Sequence, residues 1–109
     1  MAVPNLAVAK IRRFCERRVP LHLRDQTHLE VEVRGNSITI ADCLWNGTPG
    51  EWFCTKIVRA RYDAASGRWT LYWADHNQRW QRYDNLEPTT DLDRVIEEID
   101  QDPSCIFFG

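Results

Sequence analysis

Val58 to Trp80 reads VRARYDAASGRWTLYWADHNQRW and holds Trp69, Trp73 and Trp80, three of the chain's five tryptophans. A turn within Asp63 to Arg68 folds this stretch into an antiparallel hairpin. Pairing by constant index sum then sets Tyr62 opposite Trp69, Ala60 opposite Leu71 and Val58 opposite Trp73. With His76-Asn77 as the next turn, Trp73 faces Trp80. Both registers place Val58, Ala60, Tyr62, Trp69, Leu71, Trp73 and Trp80 on one side, so the indoles read as core and need a lid.

The neighbouring stretch LEVEVRGNSITIA repeats the logic. Leu29, Val31, Val33, Ile38 and Ile40 alternate with Glu30, Glu32, Arg34, Ser37 and Thr39. Gly35-Asn36 supplies two residues that tolerate positive φ in a tight turn. One face is core and the other is wet. Continued alternation would bring Asp42 onto the apolar face, which predicts a bulge or register change near Ala41 to Leu44.

The lid comes from the two ends of the chain. NLAVAKIRRFCERRV sets Ala7, Ile11, Phe14 and Cys15 at helical spacing, with Asn5 as cap and Pro20 forbidding continuation. The connector LHLRDQT is expected to pack Leu21 and Leu23 downward, turning His22 and Arg24 away. TDLDRVIEEID aligns Leu92, Val95, Ile96 and Ile99 in one stripe, capped by Thr90 and stopped by Pro103. Basic residues crowd the first helix (Lys10, Arg12, Arg13, Arg17 and Arg18), and acidic ones crowd the last (Asp91, Asp93, Glu97, Glu98 and Asp100). The two helices should therefore attract each other. The terminal Ile106, Phe107 and Phe108 either dock on the domain or make a contact between copies, which leaves monomer and homodimer both open.

These elements compose a single α+β domain over residues 1–109: helix, five-stranded antiparallel meander, helix, with both helices on the indole face. A composition of 43% hydrophobic and 28% charged residues in 109 is ordinary for one globular domain. MAVPNLAVAKIRRF reaches Lys10, Arg12 and Arg13 after a very short apolar run. It is read as neither a secretory leader nor a membrane span, and the chain is expected in the cytoplasm, without membrane contact. Cys15, Cys43, Cys54 and Cys105 form no C-x-x-C pair. They are expected to be buried thiols in a reducing compartment. A zinc site with His22, His28 or His76 lacks the paired ligands such sites show, so no metal or cofactor is assigned.

PLHLRDQTHLEVEVRGNSITI, RYDAASGRWTLYWADHNQRWQRYDNL and DLDRVIEEIDQDPSCIFFG resemble a family of small bacterial proteins catalogued only as a domain of unknown function. The resemblance spans nearly the whole chain. It implies no activity, substrate or catalytic residue, and it does not point to a known enzyme class.

Function is read from what the core leaves outside. The registers above place Arg59 across from Tyr72 and Arg61 across from Thr70, with Gln81 and Tyr83 flanking on the next strand and Arg79 beside Ala74. Guanidinium and phenol groups on one sheet face suit phosphate and unpaired bases, although the same residues could simply staple the strands together through cation-π contacts and ion pairs with Glu30 or Glu32. A net charge of -2 works against long-range attraction of nucleic acid. Asp75, His76 and Arg79 could support an RNase-like reaction, but they are ordinary turn residues. Trp45 and Trp52 flank the loop NGTPG, where they either close the loop or anchor a partner. The reading that results is a non-enzymatic binding protein. A protein partner comes first, acting through Trp45 and Trp52 or through the face of Arg59, Arg61, Tyr72, Arg79 and Tyr83. Single-stranded nucleic acid or an RNase-like enzyme is the alternative.

Overall fold

A computed structural model describes residues 3–108. Its element order is α1 (Asn5–Arg18), a short 3-10 turn (Leu21–Leu23), β1 (Thr27–Arg34), β2 (Ser37–Trp45), β3 (Trp52–Asp63), β4 (Arg68–Ala74), β5 (Trp80–Arg82) and α2 (Leu92–Gln101). The strands form one antiparallel meander in the order β1-β2-β3-β4-β5. One core joins Ala7, Ile11, Phe14 and Cys15 of α1 and Val95 and Ile99 of α2 to Ile38, Ile40, Val58, Ala60, Trp69 and Leu71 of the sheet. The strand residues are alternate ones, so both helices cover a single face. Among the described residues, the opposite face carries no helix.

The β3–β4 register is the one the sequence predicts, including Val58↔Trp73 and Tyr62↔Trp69. The β4–β5 register is not. Asp75 to Arg79 make a five-residue loop in which the Asp75 N–H donates to the Arg79 carbonyl at 2.9 Å, and Gln78 takes φ 61°. Asp75 Oδ1 accepts from the Asn77 and Arg79 N–H groups at 2.9 and 3.0 Å. Ala74 therefore pairs with Trp80, and Tyr72 with Arg82. A shift of one residue exchanges the two faces of a strand. Trp80 turns outward instead of inward, and Tyr83, expected outside, is buried.

The register change on the other side falls at Ala41, but the extra residue is Ile57 on β3: Ile40 pairs with Val58 and Ala41 with Lys56. Against β1, strand β2 runs unbroken and Asp42 stays opposite Leu29. Caps also differ from expectation. Pro4, not Asn5, precedes α1 and supplies its carbonyl to Ala7 N–H and Val8 N–H. Asp91 rather than Thr90 caps α2, accepting from the Asp93 and Arg94 N–H groups. The connector coils into the 3-10 turn, leaving Leu21 exposed.

The two ends attract as their charges require. Lys10 Nζ meets Asp93 Oδ1 at 3.1 Å and Arg18 Nη1 meets Asp100 Oδ1 at 2.7 Å. Both pairs are partly exposed, so they orient the helices more than they stabilise them. The C-terminal segment docks. Asp102 closes α2 at φ 42°, and its carboxylate accepts the N–H groups of Ile106, Phe107 and Phe108 at 2.9, 3.0 and 2.8 Å. Phe107 is buried against Tyr83, with ring centroids 5.0 Å apart. The Arg18 guanidinium lies 4.1 Å above the Phe108 ring.

Candidate functional site

Past the end of β4, β2 and β3 run on as a hairpin arm, flanked on the β2 side by β1 as far as Thr27↔Leu44. β4 pairs with β3 only from Val58 to Asp63, so among the described residues the Trp52–Ile57 stretch has no strand on that side. Leu44 pairs with Phe53, and Trp45 with Trp52. Leu44, Trp45 and Phe53 are 53%, 42% and 68% exposed. The loop between them is ordered from within. Trp45 Nε1 donates to the Thr48 carbonyl at 2.8 Å, Asn46 Nδ2 to Glu51 Oε2 at 2.8 Å, and the Thr48 N–H to Asn46 Oδ1 at 2.9 Å. Trp45 thus closes the loop with its N–H while leaving part of its ring in water. Trp52 is half-buried against His28, with centroids 4.4 Å apart and planes at 71°.

The cysteines do not form the set of buried thiols expected. The bulge at Ile57 places Cys43 opposite Cys54, and the two are joined by a disulfide midway along the arm. Cys105 is exposed, and Cys15 alone remains a buried thiol, pushed up by burial from its ordinary 9.0 to about 12.

The helix-free face of the sheet carries a different set of side chains from the predicted grid. Thr39, Arg59, Tyr72 and Arg82 stand in one cross-strand row. Arg61 and Thr70 form the next row. Trp80 joins them, with the Arg59 guanidinium 4.7 Å above its ring. Tyr83 is removed from this face, its hydroxyl donating to Glu98 Oε2 at 2.5 Å inside the core. Arg79 sits exposed in the loop, away from the row, and Arg82 takes the place given to Gln81. A hollow of about 470 Å³ beside the row is lined by Asn36, Arg61, Thr70 and Tyr72 among others.

The Asp75, His76 and Arg79 trio is not assembled for proton transfer. The Asp75 carboxylate is held below the usual carboxylate range by the Arg79 N–H, by Gln81 Nε2 and by the Asn77 N–H. Gln81 Nε2 donates to its Oδ2 at 3.0 Å. The carboxylate is committed to the turn, and His76 points into solvent as an exposed residue. Among the described residues no helix is long and apolar enough to cross a membrane.

Neither a curated protein nor a solved structure matches the chain. A family model described as a domain of unknown function (DUF3024) matches residues 2–109, and the chain therefore belongs to that family.

Proposed function

We propose that this chain is a non-enzymatic protein-binding module whose contact surface is the β2–β3 arm. The observation that carries this reading is the joint exposure of Leu44, Trp45 and Phe53 at the end of a hairpin that the chain holds rigid with its own loop hydrogen bonds and a disulfide. Leu44 and Phe53 stand side by side on the face that continues the core, and Trp45 on the reverse face. Large apolar side chains kept in water near one tip mark contact surfaces, and a preorganised one loses little entropy on binding. The open side of Trp52–Ile57 adds backbone donors and acceptors that an extended segment of the partner would pair with.

Single-stranded nucleic acid on the helix-free face is the second reading. What favours it is the outward turn of Trp80, which sets an indole beside Tyr72, Arg59 and Arg82. Stacking surfaces interleaved with guanidinium groups are the requirement for sequence-tolerant binding of unpaired bases.

A photo-cross-linking residue placed at exposed Thr55 separates the two. A discrete polypeptide adduct formed in the source cells, and reduced about tenfold or more by Leu44→Ser with Phe53→Ser, supports the arm. An arm that gives no adduct, in protein that co-purifies with salt-removable nucleic acid lost on Arg61→Ala and Arg82→Ala, overturns it in favour of the second reading.

A further inference from the structure

Three metal-ligating side chains, His28, Glu30 and Cys43, meet midway along the arm, and Cys54 is bonded to the third. His28, Cys43 and Cys54 lie directly opposite one another on three adjacent strands, and Glu30 is two residues beyond His28 on the same face. His28 Nε2 lies 3.2 Å from Glu30 Oε1, and the donor atoms of His28, Glu30 and Cys43 all fall within 4.8 Å of one another. The Trp52 ring, packed edge-on against the imidazole, fixes its orientation. Cys43 is fully buried, whereas Cys54 is exposed.

We propose that reduction of the Cys43–Cys54 bond creates a zinc site whose ligands are the two thiolates, His28 Nε2 and a Glu30 carboxylate oxygen. Two thiolates, an imidazole and a carboxylate are a donor set that selects zinc among the common divalent ions. Tetrahedral bonds of about 2.0 to 2.3 Å separate neighbouring donors by about 3.3 to 3.8 Å, and the Nε2 to Oε1 spacing already matches one such edge. Cys54 Sγ lies outside the 4.8 Å group and reaches its place by turning toward His28 once the bond to Cys43 is gone. His28 and Glu30 open onto a depression of about 650 Å³ that Thr39 and Lys56 also line, which gives the ion an approach.

The exchange balances. A dithiol attacks the exposed Cys54 sulfur and is itself oxidised to a disulfide, delivering two electrons and two protons so that both cysteines become thiols. Zinc binding then releases those two protons to water. The disulfide and the metal are alternative clasps across the same strands, so the arm stays anchored in either state. This inference is independent of what the arm binds.

The test uses the full chain with exposed Cys105 replaced by serine; Cys15 is buried and lies outside the donor group. After reduction by a phosphine, one equivalent of cobalt should give the visible bands of a tetrahedral site together with thiolate charge transfer. The oxidised protein should give neither. Glu30→Gln and His28→Ala should weaken cobalt and zinc binding by about 10- to 100-fold while circular dichroism is unchanged. Zinc-loaded protein treated with a two-electron thiol oxidant should release its metal to a chromogenic chelator, a readout that needs no variant. Reduced, folded protein without the cobalt bands overturns the proposal. So does a site indifferent to His28, or zinc retained after the thiols are oxidised.

Discussion

Replacing Glu98 with alanine lowers the free energy of unfolding by about 3 kcal/mol, read from urea denaturation. The Glu98 side chain is only 6% exposed. It accepts from the Tyr83 hydroxyl at 2.5 Å and from Arg94 Nη2 at 2.7 Å. Its removal leaves the buried phenol without its acceptor and Arg94 with only the more distant Glu97 carboxylate, 4.0 Å away, as counter-charge. Glu98→Gln keeps an acceptor for Tyr83 and loses about half as much. Burial, with Glu98 beside it, raises the Tyr83 hydroxyl above its ordinary 10.0. The protonated phenol is therefore the form the fold favours. Its contribution is whole below pH 10 and is lost as pH rises through the folded value, so Tyr83→Phe should flatten that part of the alkaline slope. An unaltered midpoint for Glu98→Ala would show that α2 is held to the sheet by its apolar stripe alone.

Asp102→Ala costs about 3 kcal/mol and frees the C-terminal segment. One carboxylate accepts three backbone N–H groups, those of Ile106, Phe107 and Phe108. The residue itself sits at φ 42°, where a β-carbon without a compensating hydrogen bond costs about 1 to 2 kcal/mol. Asp102→Gly removes the carboxylate but not the conformational freedom, so it should lose about 1 kcal/mol less than alanine. Both variants should bring amide exchange at 106–108 close to that of an unstructured chain. Protection that persists in Asp102→Gly would mean that Phe107 in its pocket against Tyr83 suffices to dock the segment.

The sequence reveals the meander, the helices and the β3–β4 register because each is written in local pattern. Alternation with a positive-φ turn marks β1–β2, and a loop bounded by Asp63 and Arg68 marks β3–β4. The β4–β5 turn carries no glycine. Its length depends on where the Asp75 carboxylate captures N–H groups and on Gln78 accepting a left-handed backbone, and neither shows in apolar spacing. That one residue decides whether Trp80 or Tyr83 faces out, and so half of the expected grid. The disulfide is hidden for a related reason. Without Ile57 bulged from β3, Cys43 would stand opposite Thr55, and only the shift brings Cys54 to it. Asp102 and Glu98 read as ordinary charges on and just past an acidic helix; their buried roles come from tertiary contacts with Tyr83, which follows β5, and with the chain end. The opposed charges of the two helices, by contrast, forecast the Lys10–Asp93 and Arg18–Asp100 pairs directly.

The aromatic side chains divide into those the core consumes and those left for a partner, and hydroxyl-radical footprinting with residue-resolved mass spectrometry measures that division. Phe53 and Trp45, 68% and 42% exposed, should oxidise rapidly in the isolated protein, while Trp69 and Tyr83, at 3% and 2%, should be protected until the chain unfolds. Trp69 and Tyr83 reacting as fast as Phe53 would contradict both the buried face and the exposed arm built upon it.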